Sequence, residues 1–283
     1  MDANRSCEDR DGVSPFHPAG RSVLYHRCIV CEFVFTRDFD ALSDAELGQQ
    51  VYNADYAKAD PDFAAARPNY FARTLTKALI PFPGLRMLDY GGGSGRFAES
   101  MRSAAFDAMT YDPYFRQDTL DLAVRFPLVT AFEVVEHSRN PLQTFREAMS
   151  FLEPDGALLF STQIRRPKMG VEWPYIAPRN GHFSVHSSTS LHRCAALLGA
   201  VRLSFSEGLH IFARSRPNAV ARLLLTQGAG AVLYAASLEG ATSFLHAWRG
   251  IAVATGLTPW RHLFDLRHPI RALRHRVGGA LIR

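Results

Sequence analysis

From residue 83 onward short apolar runs alternate with stretches of helical spacing, which is the pattern of a parallel α/β sheet. The runs predict strands over 86–90, 108–111, 128–133 and 157–162. Helical spacing begins at Gly95 and again over 140–152, where Asn140 serves as cap and Pro141 takes the first helical position. Pro127 cannot donate to a ladder and so marks the start of its strand. Pro154-Asp155-Gly156 reads as a turn into the next strand. A helix over 188–198 and a closing antiparallel pair at 201–205 and 210–214 complete the reading. The fold class is α/β, a doubly wound, mostly parallel sheet with an antiparallel closing strand.

Ahead of this core, residues 1–22 read as loop, and β-prone runs at 22–27 and 32–36 suggest a small N-terminal hairpin around Cys28 and Cys31. Ser43 and Glu46 have capping-box spacing and open a helix carrying Leu47, Val51, Tyr52 and Tyr56; Asn69, after Pro68, opens another through Ile80. From Pro217 the chain is helical by composition. Four regions result: a cysteine-containing hairpin over 1–40, a helical cap over 41–82, the α/β core over 83–215 and a helical C-terminal extension over 216–283.

Composition changes this picture little, and charge refines it. With 47% hydrophobic and 21% charged residues, the 283-residue chain is neither disordered nor a coiled coil, and four cysteines are too few for a secreted disulfide framework. The acidic N-terminus has no apolar segment of a secretory signal, and no uncharged stretch reaches the roughly 20 residues of a membrane span. A cytoplasmic location is expected. Residues 214–283 hold ten Arg against two acids, Glu239 and Asp265, so the net charge of +5 belongs to the tail. That distribution speaks against a nucleic-acid-binding body. Arg261, Arg267, Arg271, Arg274 and Arg276, interleaved with Trp260, Leu263, Phe264, Leu266, Ile270 and Leu273, would form a basic amphipathic face for an anionic membrane surface at the inner face or an acidic partner; the plain alternative is a solvated helix.

The chemistry concentrates at Asp89-Tyr90-Gly91-Gly92-Gly93-Ser94-Gly95, where an apolar strand ends in an acid and a glycine loop leads into a helix. Such a loop lets a ligand approach the backbone, and the helix N-terminus favours polar or anionic groups. A dinucleotide fingerprint requires glycine at the sixth position from Gly91, and that position is Arg96. Asp112, followed by Pro113, closes the next strand 23 residues after Asp89, where a carboxylate can accept from both hydroxyls of a ribose. A nucleoside ligand follows from the combination.

These residues resemble the class I S-adenosylmethionine-dependent methyltransferases, over about residues 52–214, and imply a Rossmann-like core. Asp89, Tyr90, Gly91, Gly93 and Gly95 are similar to the first motif of that family, and Asp112 to its ribose-binding acid. Phe132-Glu133-Val134-Val135-Glu136-His137, with Asn140-Pro141 and Leu152-x-Pro154-x-Gly156, resembles the ubiquinone-type O-methyltransferases, in which this strand end lies beside the sulfonium. The resemblance implies S-adenosylmethionine as cofactor, held by Asp89, Tyr90, Gly91, Gly93, Gly95, Asp112, Pro113, Phe132 and Glu133. Two departures stand out. Only thirteen residues separate Asp112 from Phe126, which shortens the usual helix and strand there and leaves Asp118 as a substitute for the adenine-contacting acid. Pro127 occupies a position that is commonly Asp.

Methyl transfer is an in-line displacement, so the protein positions both partners and supplies a base where the acceptor must lose a proton. His137, after Glu136 at a strand end, is the leading base; the alternative is that it caps the next helix. His182, His186, Tyr175 and Arg179 occupy the loop expected to face a small-molecule acceptor, whereas His210 reads as a satisfied strand histidine. Tyr52 or Arg67 would reach the cofactor carboxylate, or simply pack. Glu133, Glu136 and His137 would also suit a divalent cation. Cys28 and Cys31 have zinc-knuckle spacing, which Cys7 with His17 or His26 would complete, although a second Cys pair is missing. The expected activity is methylation of a small-molecule or sugar acceptor, preferably at a hydroxyl. A non-catalytic nucleoside-binding scaffold with the same fold is the alternative.

Overall fold

The computed structural model describes residues 1–9, 13–113, 121 and 123–226. Strands β1 (Tyr25–Arg27) and β2 (Val34–Thr36) form the expected antiparallel hairpin. Helix α1 (Asp44–Gln50) opens with the capping box of Ser43 and Glu46, each side chain accepting from the other residue's backbone. It stops short of Tyr52, and Tyr56 belongs to a separate short helix, α2 (Tyr56–Ala59). Helix α3 (Ala66–Ala78) begins three residues ahead of the expected Asn69, because Pro68 is tolerated inside the first turn, where its missing N–H has no partner to lose.

The core runs β3 (Arg86–Tyr90), α4 (Arg96–Ser103), β4 (Asp107–Tyr111), β5 (Phe126–Phe132), a 3-10 turn (Val135–His137), α5 (Pro141–Ser150) and β6 (Leu152–Ser161). A two-residue strand, β7 (Ser184–Val185), leads into α6 (Ser188–Leu197), β8 (Val201–Ser204) and β9 (Leu209–Ala213). Six strands make one sheet in the order β4-β3-β5-β6-β9-β8. The pairs from β4 to β6 are parallel, and β9 is antiparallel to both β6 and β8. The expected closing pair is therefore present, inserted with β9 inward.

Period-two alternation sends successive side chains to opposite faces. Met87, Leu128, Leu159 and Ile211 pack with Phe97 and Met101 of α4, Leu75 of α3 and the helical residues 219–226. Their neighbours Leu88, Val129, Leu158 and Phe212 pack with Phe145 of α5 and Leu191 of α6. Each such fully buried side chain contributes about 1.5–3 kcal/mol, which fixes the register and hence the positions of the strand ends.

Two details of the core differ from expectation. Strand β5 starts at Phe126 with Pro127 inside it, and its register with β6 shifts between Phe126 and Leu128. The bulge absorbs the missing proline N–H. Pro154-Asp155-Gly156 is accommodated within β6 opposite that bulge, so the expected turn is an irregularity of one long strand. A third strand was also absent from the sequence reading: β7 pairs with β2 and extends the hairpin to a three-stranded sheet.

Candidate active site

At the carboxyl ends of β3 and β4, the crevice side of an open α/β sheet, the chain turns through glycines with φ of +72° at Gly91, +54° at Gly93 and +78° at Gly95. Gly95 caps α4 in the left-handed region, where an L side chain is strained. Gly92 is required for space, since a Cβ there would lie 2.1 Å from Asp89 Oδ2 and 2.8 Å from Thr110 Cγ2. Asp89 is 3% exposed. Its Oδ1 accepts from Thr130 Oγ1 at 3.1 Å, while among the described residues Oδ2 has no partner, nor has the buried Oγ1 of Thr110. Burial, supplemented by the charge of Asp112, pushes the Asp89 carboxyl up to about 7. Asp112 Oδ2 accepts the Gly93 N–H at 2.8 Å, and Pro113 is exposed beyond it.

Tyr90 does not join this group. Being one residue from Asp89 it projects from the other face, packs among Tyr111 and Phe151, and donates its hydroxyl to Glu147 Oε2 at 3.0 Å. Strand alternation thus keeps its side chain off the face that carries Asp89. Thr110 and Thr130 were missed. Both are cross-strand partners of Asp89, in β4 and β5; Thr110 also lies two residues before Asp112, a spacing that puts both on one face.

The second half of the site is the end of β5. Phe132 stacks on Phe71 at 4.1 Å and meets the edge of Phe97 at 5.2 Å. Glu133 adopts φ +54°, a left-handed conformation that costs a non-glycine residue about 1 kcal/mol or more. Ser161 offsets this strain, its Oγ accepting the Glu133 N–H at 2.8 Å and donating to Oε1 at 2.6 Å. Burial raises the Glu133 carboxyl, opposed by Arg67, whose Nε lies 3.9 Å from Oε2. Arg67 also donates to both oxygens of Asp60, at 2.7 and 2.8 Å, so it is a strut between cap and core. Glu136 is fully buried; Tyr175 donates to its Oε1 at 2.5 Å and Oε2 has no partner. Burial and the neighbouring Glu133 hold its carboxyl well above the usual range.

His137 lies 3.3 Å through Nδ1 from the Tyr52 hydroxyl, with its ring 5.1 Å from that of His182. Burial lowers it to about 4 although the carbonyls of Gly181 and Asn180 favour its proton, so its imidazole is neutral. His182 is 4% exposed, with Nδ1 2.8 Å from the Tyr175 carbonyl and 3.8 Å from Cys7 Sγ, and burial holds it at about 3. The structure thus brings His137, His182 and Tyr175 together. Arg179 is a buried support, His186 packs in the core against Phe33 and Phe145, and His210 is satisfied through both ring nitrogens by Ser204 Oγ and Thr162 O.

The zinc expected at Cys28 and Cys31 is not shown. Among the described residues no group of three or more His, Cys, Asp or Glu could hold a metal ion, and Cys7 lies beside His182. Among the described residues, neither Cys28 and Cys31 nor the set of Glu133, Glu136 and His137 forms such a group. Among the described residues, no helix is long and apolar enough to cross a membrane. Asp118 and the arginine-rich tail lie outside the described residues.

A family model described as a methyltransferase domain matches residues 63–202. The chain is 33% identical over 132 residues to a ubiquinone biosynthesis O-methyltransferase of Cereibacter sphaeroides, an alignment covering 36% of this chain and 53% of that one. It is 31% identical over 114 residues to the protein of that name from Xanthomonas campestris, covering 32% and 48%. The chain spans about half the length of these curated relatives. Among solved structures, a mitomycin 7-O-methyltransferase is similar at 11% identity and a TM-score of 0.46, covering 62% of this chain and 61% of that one.

Proposed function

We propose that the chain, similar over residues 63–202 to a methyltransferase domain, is a class I S-adenosylmethionine-dependent methyltransferase that methylates a hydroxyl of a small-molecule or sugar acceptor, with His137 as base. The observation carrying this reading is the pair of unpartnered buried oxygens, Asp89 Oδ2 and Thr110 Oγ1, beside a glycine loop that any Cβ at Gly92 would fill. A buried polar atom without a partner costs about 1–3 kcal/mol, which a ligand bearing donors removes. These residues fit S-adenosylmethionine: Asp89 and Thr110 would meet its amino-acid end, the amides of the loop its polar groups, and Asp112 its ribose. When bound, that cofactor supplies an electrophilic methyl group.

The remaining work falls to the chain. Phe132, held between Phe71 and Phe97, forms an apolar wall that excludes water from the strand end. His137, kept neutral by burial, accepts the acceptor's proton as the oxygen is methylated. Glu136 and Tyr175 hold the acceptor loop against the turn that carries His137. The relatives' O-methyltransferase names agree with an oxygen acceptor.

Calorimetry with S-adenosylmethionine and S-adenosylhomocysteine, followed by methyl transfer to catechol, a primary alcohol and a hexose, tests the reading. Both nucleosides should bind, and His137→Gln should retain that binding while losing about 10²–10⁴-fold in kcat. Absence of binding would sink the cofactor assignment. Binding with no turnover on any of the three acceptors would replace the enzyme by a nucleoside-binding scaffold.

A further inference from the structure

Residues 28–33 join β1 to β2 and carry Cys28 and Cys31, both free thiols and both partly exposed. The Cys28 N–H donates to Phe33 O at 2.8 Å and the Glu32 N–H donates to Cys28 O at 2.9 Å, so residues 28–32 wind through one α-turn. Positions three apart on such a turn share a face, and the two sulfurs meet there. The Cys31 thiol donates to Cys28 Sγ, which also accepts the N–H groups of Val30 and Cys31. Glu32 closes the turn at φ +58° and is held in that left-handed conformation by Arg27 and Arg165, each 3.2 Å from its Oε2. Ser187, the N-cap of α6, donates through Oγ to Cys31 O at 2.5 Å. Residues 31–33 are thus the anchored limb of the turn, whereas Ile29 and Val30 stand out into solvent at 89% and 60% exposure.

Three donors aimed at one sulfur favour its thiolate, and the positive charge of Arg193 in α6 bears on both cysteines. A disulfide sets its Cβ atoms about 3.5–4.5 Å apart, against about 5–6 Å for side chains one turn apart, a difference that the solvent-exposed limb 29–30 can absorb. We propose that Cys28 and Cys31 form a thiol–disulfide exchange site that takes a low-molecular-weight disulfide as its oxidant, with Cys28 attacking and Cys31 resolving. The Cys28 thiolate, its proton released to water, bonds to one sulfur of the small disulfide. The S–S bond of that molecule breaks, and its electron pair leaves on the other sulfur, which takes up a proton. Cys31, deprotonated in turn, attacks Cys28 Sγ of the mixed disulfide and expels the second small thiolate, which is also protonated. Two protein thiols are oxidised by two electrons, and the small disulfide is reduced to two thiols. The other two cysteines are unsuited to this chemistry, because burial pushes the Cys7 thiol up to about 12 and the Cys194 thiol up to about 11. The exchange site lies on the N-terminal hairpin and does not depend on the methylation reading.

Trypsin isolates the pair, since Arg27 and Arg37 bound a peptide that contains Cys28 and Cys31 and neither of the other cysteines. The full chain is equilibrated in glutathione buffers of increasing disulfide content, quenched with acid, alkylated in denaturant and mapped by mass spectrometry. Both alkyl groups should disappear from peptide 28–37 together, in one two-electron transition that dithiothreitol reverses, while Cys7 and Cys194 remain alkylated. Cys31→Ser should accumulate glutathione on Cys28, and Cys28→Ser should react with glutathione disulfide about 10-fold more slowly than Cys31→Ser. Full alkylation of Cys28 and Cys31 in the most oxidising buffer overturns the proposal, as does a disulfide that joins either of them to Cys7 or Cys194. Equal rates for the two variants overturn the assignment of Cys28 as the attacking thiol. Zinc carried by the purified chain and released on alkylation of these two thiols would make the pair a metal site in place of an exchange site.

Discussion

Asp89 is buried at the expense of stability. Its carboxyl, raised to about 7, keeps in the folded protein a proton that the unfolded chain releases near pH 4. Stability from this group is therefore present at low pH and is lost as pH rises from about 4 to about 7. Asp89→Asn should abolish that loss, so its stability relative to the parent should climb through the same window, by up to a few kcal/mol. The side chain would still accept from Thr130. On the proposed cofactor assignment ligand binding should run the opposite way: an ionised Asp89 would pair with the ammonium of S-adenosylmethionine, so affinity of the parent should tighten as pH rises through 7, and the variant should bind weakly throughout. Urea midpoints and calorimetry at pH 5, 6, 7 and 8 measure both. An affinity of the parent that is flat over this range would show that Asp89 does not pair with the cofactor.

At the scale of elements, the capping chemistry was legible because it is local. Ser43 with Glu46 and Asn140 with Pro141 occupy the positions their residue types demand, and strand β3 has its expected limits. What escaped was irregularity maintained by distant groups. Pro127 and the surplus residues of β6 coexist because Asn218, far along the chain, ties them together: its Nδ2 donates to Pro127 O at 3.0 Å and its N–H to Asp155 O at 2.9 Å. Its Oδ1 also accepts from Ala221 N at 2.9 Å, capping the helical residues 219–226. Asn218→Ala removes a cap and a bulge contact together and should cost about 1–2 kcal/mol, read as a lower urea midpoint. Because the bulge is at the end of the sheet opposite the glycine loop, affinity for S-adenosylhomocysteine should be unchanged; a weakened affinity would mean that the two ends are coupled.

At the scale of the whole molecule, the loop that carries Tyr175 is tied to the N-terminal segment by contacts that sequence patterns do not display. The glycine loop and its acids were readable because the functional groups lie within one strand–loop–helix unit and one neighbouring strand, whereas Thr130, Ser161, Arg179 and Asn180 take their meaning from partners 28 to 128 residues away. The N-terminal segment is the clearest instance. Arg5 reaches the loop that carries Tyr175, donating to the carbonyls of Val171 at 2.8 Å, Glu172 at 2.6 Å and Trp173 at 3.3 Å, while its own carbonyl accepts from Arg179 N at 3.0 Å. Cys7 N–H donates to Asn180 Oδ1 at 2.9 Å a short distance on. Residues 5–7 thus clamp residues 171–180 from outside, and through Tyr175 and Arg179 the clamp bears on Glu136 and Tyr52. Three carbonyls freed at an exposed edge turn to water at little net cost, so Arg5→Ala should leave global stability within about 1 kcal/mol of the parent. Loop order should change instead. Hydrogen exchange of the amides in 171–176 should accelerate while β3, β5 and β6 remain protected, since local opening draws on the least stable unit. Unaltered exchange in that loop would place its order in the Trp173, Tyr175 and His182 ring contacts, and would relieve the N-terminal segment of any part in shaping the acceptor side.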